Sequence, residues 1–153
     1  MKKWLWAQTI ILLGGTVFAW FNVIRDFNRF YKFEGTIFKI QDCVIPSPFT
    51  QACFYGAIAF LLAFSLSVFI LRTVEAKKQE KYLSWLLAGG TVFAWFNVSK
   101  EFIAFYSSKN HQAVGCSAVP ITNPFLTSCF FGAFIFLTAA IVAFVILHKQ
   151  KNN

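Results

Sequence analysis

Four cysteines and two matching sets of polar residues, set into long apolar stretches, are the side chains through which this chain could do chemistry. Nine residues separate Cys43 from Cys53, and twelve separate Cys116 from Cys129. Each pair suits a bridge that braces a proline-containing loop against the start of a helix, worth roughly 3 kcal/mol for a loop of this size in the chain-entropy model. Four cysteines allow three pairings, and the internal symmetry described below favours Cys43–Cys53 with Cys116–Cys129. The alternative chemistry is thiol–disulfide exchange, because Cys53 and Cys129 fall in the opening turns of helices, where the dipole favours the thiolate. A four-cysteine zinc site is disfavoured, since neither pair has tight zinc-ligand spacing.

The polar sets are Asn22, Arg25 and Asp26 in the first half and Asn97, Lys100 and Glu101 in the second. An amide near the end of an apolar span avoids lipid. Asn22 and Asn97 are therefore expected to face inward and, with the neighbouring charges, to line a polar vestibule for a solute or ion. The plainer alternative has the amides bonding across a helix pair and the charges forming salt bridges at the water boundary. Other chemistries lack their residues. His111 falls in a loop and His148 at a helix end, so no intramembrane histidine pair could hold a haem; no Ser-His-Asp set is suggested, and Gly14-Gly15 and Gly89-Gly90 lie within helices and make no phosphate loop.

The elements that must position these groups are legible in the apolar pattern. With 58% hydrophobic and 13% charged residues the chain lies outside the ordinary soluble range. Its apolar residues fall in four stretches, at 4–24, 48–71, 83–98 (continuing to 106) and 124–147. Each meets the ~20 residues needed to cross a hydrocarbon core of about 30 Å. The opening residues mimic a signal peptide, but the same stretch recurs in mid-chain and no convincing cleavage site closes it, so it is read as a retained helix.

That recurrence is an internal repeat. LLGGTVFAWFNV at 12–23 matches LAGGTVFAWFNV at 87–98, offset by 75, and PFTQACFYGA at 48–57 lies over PFLTSCFFGA at 124–133, offset by 76. The predicted architecture is all-α: one membrane domain over 1–153, with four transmembrane helices as two tandem repeats of a two-helix hairpin. Repeat one covers 4–72, a charged cytoplasmic linker 73–82, and repeat two 83–148. An even number of spans per unit makes the repeats parallel, related by a pseudo-two-fold along the membrane normal. Ser47-Pro48 and Asn123-Pro124 are expected to start the second and fourth helices, and the segment 35–41 alternates like a short strand. Gly15 and Ala19, matched by Gly90 and Ala94, form small-residue stripes along which the first and third helices should meet. Ala52 with Gly56 and Ser128 with Gly132 offer a second seam. The abundant phenylalanines are read as lipid-facing and packing side chains.

The net charge of +8 is distributed as topology rather than as a nucleic-acid face. Lys2, Lys3, Arg72, Lys77, Lys78, Lys81, Lys149 and Lys151 crowd the two ends and the central join, which places both termini in the cytoplasm and the cysteine loops outside, in a plasma or inner membrane. The expected function is a small polytopic binding, transport or assembly subunit, leaning non-enzymatic, with no cofactor or metal. Its partners are the lipid bilayer and a second copy or another membrane subunit, with no nucleic acid. The alternative is a quinone- or thiol-coupled disulfide oxidoreductase. In outline the chain resembles the membrane enzymes that re-oxidise disulfide carriers with quinone or reduce vitamin K epoxide. Their Cys-x-x-Cys pair is absent here, so none of their catalytic residues carries over, and quinone is implied only under that alternative.

Overall fold

The computed structural model describes residues 2–36, 38, 47–73, 76–108, 113–115 and 120–151. Four helices dominate: α1 (Lys2–Glu34), α2 (Ala52–Arg72), α3 (Ala76–Ser107) and α4 (Ser128–Lys151). They form a ring in which α1 packs on α2 and α4, and α3 packs on α4 and α2. The two chain ends and the α2–α3 join share one end of the ring, the terminal end; the longer connections share the other, the loop end. At 33 residues, α1 runs to ~50 Å and overreaches a hydrocarbon core of about 30 Å. It stops at Gly35, whose φ of +66° suits a residue without Cβ and whose N–H reaches Tyr31 O at 2.9 Å, a left-handed cap.

Helices α1, α2 and α4 are long and apolar enough to cross a membrane. Helix α3, at 32 residues, has a less apolar central stretch than α1, because Trp85, Ala88 and Ser99 stand where α1 has Ile10, Leu13 and Ile24, and Lys81 and Lys100 bracket it closely. The outward faces are unlike those of a water-soluble bundle. Val17 and Phe21 on α1, Leu62 and Phe69 on α2, Val92 and Phe96 on α3, and Ile141 and Phe144 on α4 are all more than half exposed. Apolar surface on this scale calls for a hydrocarbon surround, as expected of an integral membrane protein.

The buried stripes follow helical spacing. On α2 they are Ala57, Phe60, Ala63, Ser67 and Ile70, and on α4 Ala133, Phe136, Ala139, Ala143 and Ile146, each the α2 position plus 76. On α1, Thr9, Leu12, Val23 and Asp26 are buried, as are Ser84, Leu87, Val98 and Glu101 on α3, each 75 further on. Phe60 and Phe136 stack at the centre with ring centroids 3.8 Å apart. A Cβ on Gly15 would lie 2.5 Å from Phe60, and one on Gly90 would lie 2.7 Å from Phe136. Each glycine thus admits a ring from a neighbouring helix. The first and third helices were expected to meet along these glycines; instead they lie across the ring from one another, because the stacked phenylalanines occupy that space.

Two helix starts also differ from expectation. Pro48–Thr50 and Pro124–Leu126 form single 3-10 turns, and the long helices begin after them because Gln51 and Thr127 are extended. The Asn123 side chain caps its turn by accepting from Phe125 N–H at 3.0 Å, whereas Ser47 makes no such bond. Each turn is pinned by a trio of rings. Phe49 packs on Phe27 at 4.8 Å and on Phe54 at 5.5 Å; Phe125 packs on Phe102 at 4.9 Å and on Phe130 at 5.5 Å. The central join is shorter than 73–82, since α3 already begins at Ala76. Between α3 and α4, β1 (Ala113–Val114) pairs antiparallel with β2 (Pro120–Ile121), a feature the sequence did not suggest. The strand expected over 35–41 lies largely outside the described residues.

Gly15→Ala and Gly90→Ala are expected to lower stability by about 1–3 kcal/mol, the usual penalty of overpacking. Gly14→Ala and Gly89→Ala, whose added methyl meets open space, should raise it by up to ~1 kcal/mol through helix propensity. Thermal unfolding of the detergent-purified protein checks both directions.

Candidate functional site

Above the Phe60–Phe136 stack, toward the loop end, the four helices do not close. They enclose a cleft of about 70 Å³, several times the space one water molecule needs. Its walls are small: Ala19 on α1, Ala52, Gly56 and Ala57 on α2, Gly90 and Ala94 on α3, and Gly132 and Ala133 on α4. A Cβ on Gly56 or Gly132 would meet nothing within 4 Å. The second small-residue seam therefore leaves a void where close helix contact was expected.

The polar groups of the cleft are Asn22, Asn97 and Ser128, joined by the sulfurs of Cys53 and Cys129. Asn22 is buried. Its amide N–H₂ donates to Phe18 O at 2.8 Å, while its Oδ1 accepts from the Ser128 hydroxyl at 2.8 Å, a link between α1 and α4. Asn97 donates to Phe93 O at 2.8 Å and is half-buried. Each amide thus bonds back to its own helix, the usual solution for polar side chains in an apolar surround. They do not bond to one another.

Cys53 Sγ and Cys129 Sγ lie 3.4 Å apart, beyond the ~2.05 Å of a disulfide, so these two sulfurs touch across the ring without being bonded to each other. Cys43 and Cys116 lie outside the described residues, and the expected pairings Cys43–Cys53 and Cys116–Cys129 lie there with them.

The charged residues expected beside the amides are placed elsewhere. Asp26 is buried and bridges Arg29 at 2.9 Å on its own helix. Lys100 is exposed and sits 5.7 Å above the Phe96 ring. Arg25 and Glu101, from opposite sides of the ring, line a separate and more polar pocket of about 150 Å³, roofed by Pro120, Ile121 and Thr122. The Gly115 backbone closes on it, since a Cβ there would come within 3.2 Å of Glu101 Oε1. The vestibule expected from the sequence is therefore two compartments: an apolar cleft with amides, and a polar pocket above it holding one cation and one anion from the set.

Ser128, Arg29 and the Phe60–Phe136 floor were not singled out in the sequence. Ser128 was read only as a small residue, and Phe60 and Phe136 were lost among 21 phenylalanines, although both sit at the centre of an apolar stretch one helical turn from a glycine. Comparison with protein-family models, with curated proteins and with solved structures returns no match, so the functional reading rests on the residues themselves.

Asn22→Leu should destabilise the protein by about 1–3 kcal/mol, because it strands the Ser128 hydroxyl in an apolar surround. Asn97→Leu, which breaks a bond only to its own helix, should change stability by no more than ~0.5 kcal/mol. Paired unfolding curves of the two variants distinguish this ordering from equal effects.

Proposed function

We propose that this chain is a small polytopic membrane protein that crosses the bilayer four times, as two parallel hairpin repeats with both termini cytoplasmic. In this reading it acts non-enzymatically, as a binding, transport or assembly subunit whose ligand is an amphiphile. The apolar part of the ligand lies in the cleft between the four helices and its polar end meets Asn97, Asn22 and Ser128. The observation that carries this reading is the pair of glycines, Gly56 and Gly132, that line the cleft with open space before them. Glycine weakens a helix by roughly 1 kcal/mol relative to alanine, and neither residue recovers that through close packing. Keeping room is the role left to them. Among the described residues no charged side chain lines the cleft, which favours an apolar occupant over an ion. The polar pocket with Arg25 and Glu101 lies on the approach from the loop end and suits a ligand's head group. The density of lysine and arginine at the terminal end supports the orientation. A through path for a transported solute would require a second copy or another membrane subunit beside this one.

One observation favours a second reading, a quinone- or thiol-coupled oxidoreductase. The sulfurs of Cys53 and Cys129 touch in the wall of an apolar cleft. Cys129 is held in a disulfide, so in that chemistry the Cys53 thiolate attacks the Cys129 sulfur, the Cys53–Cys129 bond forms as the existing S–S bond breaks, and the former partner leaves as a thiol, with no net oxidation.

The experiment that separates the readings uses decanol as a probe amphiphile. Wild type should gain thermal stability with decanol concentration, as a native-state ligand requires. Gly56→Leu with Gly132→Leu should fold with an equal or higher midpoint and lose the response, while Cys53→Ser with Cys129→Ser should retain it. An undiminished response in the filled variant would sink the cleft as the site. Thiol trapping in cells that shows a Cys53–Cys129 bond varying with quinone supply would replace the first reading with the second.

A further inference from the structure

Glu80 is a buried carboxyl at the terminal end, remote from the cleft. It is 0% exposed, and so is Gln8, which faces it from α1. The Gln8 amide N–H₂ donates to Glu80 Oε1 at 3.0 Å. That leaves two buried oxygens, Gln8 Oε1 and Glu80 Oε2, and neither has a hydrogen-bond partner. Nearby hydroxyls are already engaged. Ser84 donates to the Glu80 backbone carbonyl at 2.8 Å, and Thr9 is bonded to Leu5 O and Ser67. Among the described side chains, the charged groups of the surrounding elements at this end are exposed: Lys3 on α1, Arg72 on α2, Lys78 and Lys81 on α3, and His148 and Lys149 on α4. Lys149 lies over the Trp4 ring at 4.5 Å, and no salt bridge reaches Glu80 among the described residues.

An ionised carboxylate is an acceptor only, and one buried without a cation is strongly disfavoured. Adding one proton changes the balance of donors and acceptors in a particular way. The Glu80 carboxyl gains an O–H, and the amide oxygen beside it is the acceptor that lacks a donor. A single proton therefore satisfies both orphaned oxygens and turns one hydrogen bond into a reciprocal acid–amide pair.

The repeat supplies an independent argument. At an offset of 75, Gln8 corresponds to Leu83 and Glu80 to Leu5; Leu83 belongs to the packed core and Leu5 is partly buried against it. The equivalent positions in the repeat are thus apolar, so packing alone does not call for a glutamine facing a glutamate.

We propose that Gln8 and Glu80 form a proton-binding site that clasps α1 to α3 at the terminal end, closed with the proton bound and released when it leaves. Burial pushes the Glu80 carboxyl above its ordinary value of 4.5, with the Gln8 N–H opposing the rise. Glu80 precedes the apolar stretch that starts at Leu83 and is flanked by the exposed Lys78 and Lys81, which puts the site next to water with which a proton can exchange. For a carboxyl whose value is raised by folding, the native state binds more protons than the unfolded chain. The associated stability is therefore complete below the ordinary value and is lost as pH rises through the raised one.

Two measurements on the full-length protein in detergent test this. Infrared spectroscopy should show a protonated-carboxyl C=O band that persists above the pH at which exposed carboxyls ionise, disappears on further alkalinisation and is missing in Glu80→Gln. The thermal midpoint of wild type should fall across that same pH window, whereas Glu80→Gln, which keeps an amide pair in place of the acid, should be flat there. A wild type without the persistent band, or a Glu80→Gln variant with the wild-type pH slope, would overturn the proposal. If Glu80→Gln does not fold, Gln8→Leu decides: removing the acceptor should move the band to higher frequency, and an unmoved band excludes the pair. If sodium or potassium at constant ionic strength raises the wild-type midpoint and no band is present, the site holds a metal cation and the proton proposal fails.

Discussion

The stack of Phe60 on Phe136 sets the geometry on which the rest of the bundle depends. Two rings with centroids 3.8 Å apart fill the middle of the ring of helices and reach toward its far sides, where only a residue without a side chain can receive them. Gly15 and Gly90 stand at those two places. Lipid tails are as apolar as the protein's own side chains, so helices are held together in a membrane by fit rather than by escape from water. A ring seated in a glycine notch provides such fit, and here it occurs twice on one central stack. The same stack separates α1 from α3 and sets the spacing of α2 and α4. Below it the space closes with Leu12, Ala63, Ile70, Leu83, Leu87, Ala139 and Ala143; above it, where glycine and alanine follow instead of leucine, the space stays open as the cleft.

Polar groups inside this bundle obey a second constraint, that water is not there to satisfy them. Most resolve it within one helix. Thr16, Ser84, Thr91, Asn22 and Asn97 each donate to the carbonyl four residues back. A smaller set reaches across: Thr16 to Phe60 O at 3.2 Å, Thr9 with Ser67 at 2.6 Å, Ser128 to Asn22 at 2.8 Å, and Gln8 to Glu80 at 3.0 Å. The second group determines which helices stay together at each end, since these bonds have a partner only in the assembled bundle. All four involve α1: the first two hold it to α2, and the last two hold it to α4 at the loop end and to α3 at the terminal end.

Much of this was legible in the sequence, and the parts that were not share a cause. Four helical stretches, the matched halves and the inward-facing Asn22 could be read from apolar runs, offsets and the cost of an amide in lipid. The stripe of Gly15 and Ala19 signalled a close approach, but a glycine in a stripe shows only that something comes near. It does not say whether the visitor is another backbone or a ring from a third helix. The polar set divides between compartments for a rotational reason. Residues 22 and 26 share a face at helical spacing, whereas residue 25 stands about 60° away from 22 and turns Arg25 toward the loop pocket. The proline signals at Ser47-Pro48 and Asn123-Pro124 were real turn starts, yet nothing in the dipeptides reveals that Gln51 and Thr127 revert to extended backbone before the long helices begin. Glu80 was hidden by its neighbours: a glutamate among lysines reads as a solvated linker, although its spacing of three to Leu83 and seven to Leu87 continues the buried face of α3.

The two ends of the bundle differ in a way the matched halves would not produce by themselves. At the loop end the aromatic packing of the halves remains alike: Phe27, Phe49 and Phe54 form one trio and Phe102, Phe125 and Phe130 another, with corresponding spacings. At the terminal end they diverge, because Gln8 and Glu80 stand where the other half has Leu83 and Leu5. A polar pair in an apolar bundle is weaker than leucine on leucine unless every donor and acceptor is matched, so the substitution makes this contact conditional where its counterpart is not. The conditional contact joins α1 to α3, the helices that the central rings keep apart. The proposed proton site and the cleft lie on opposite sides of the Phe60–Phe136 stack, and the helices that line the cleft with Asn22 and Asn97 are the same ones that carry Gln8 and Glu80.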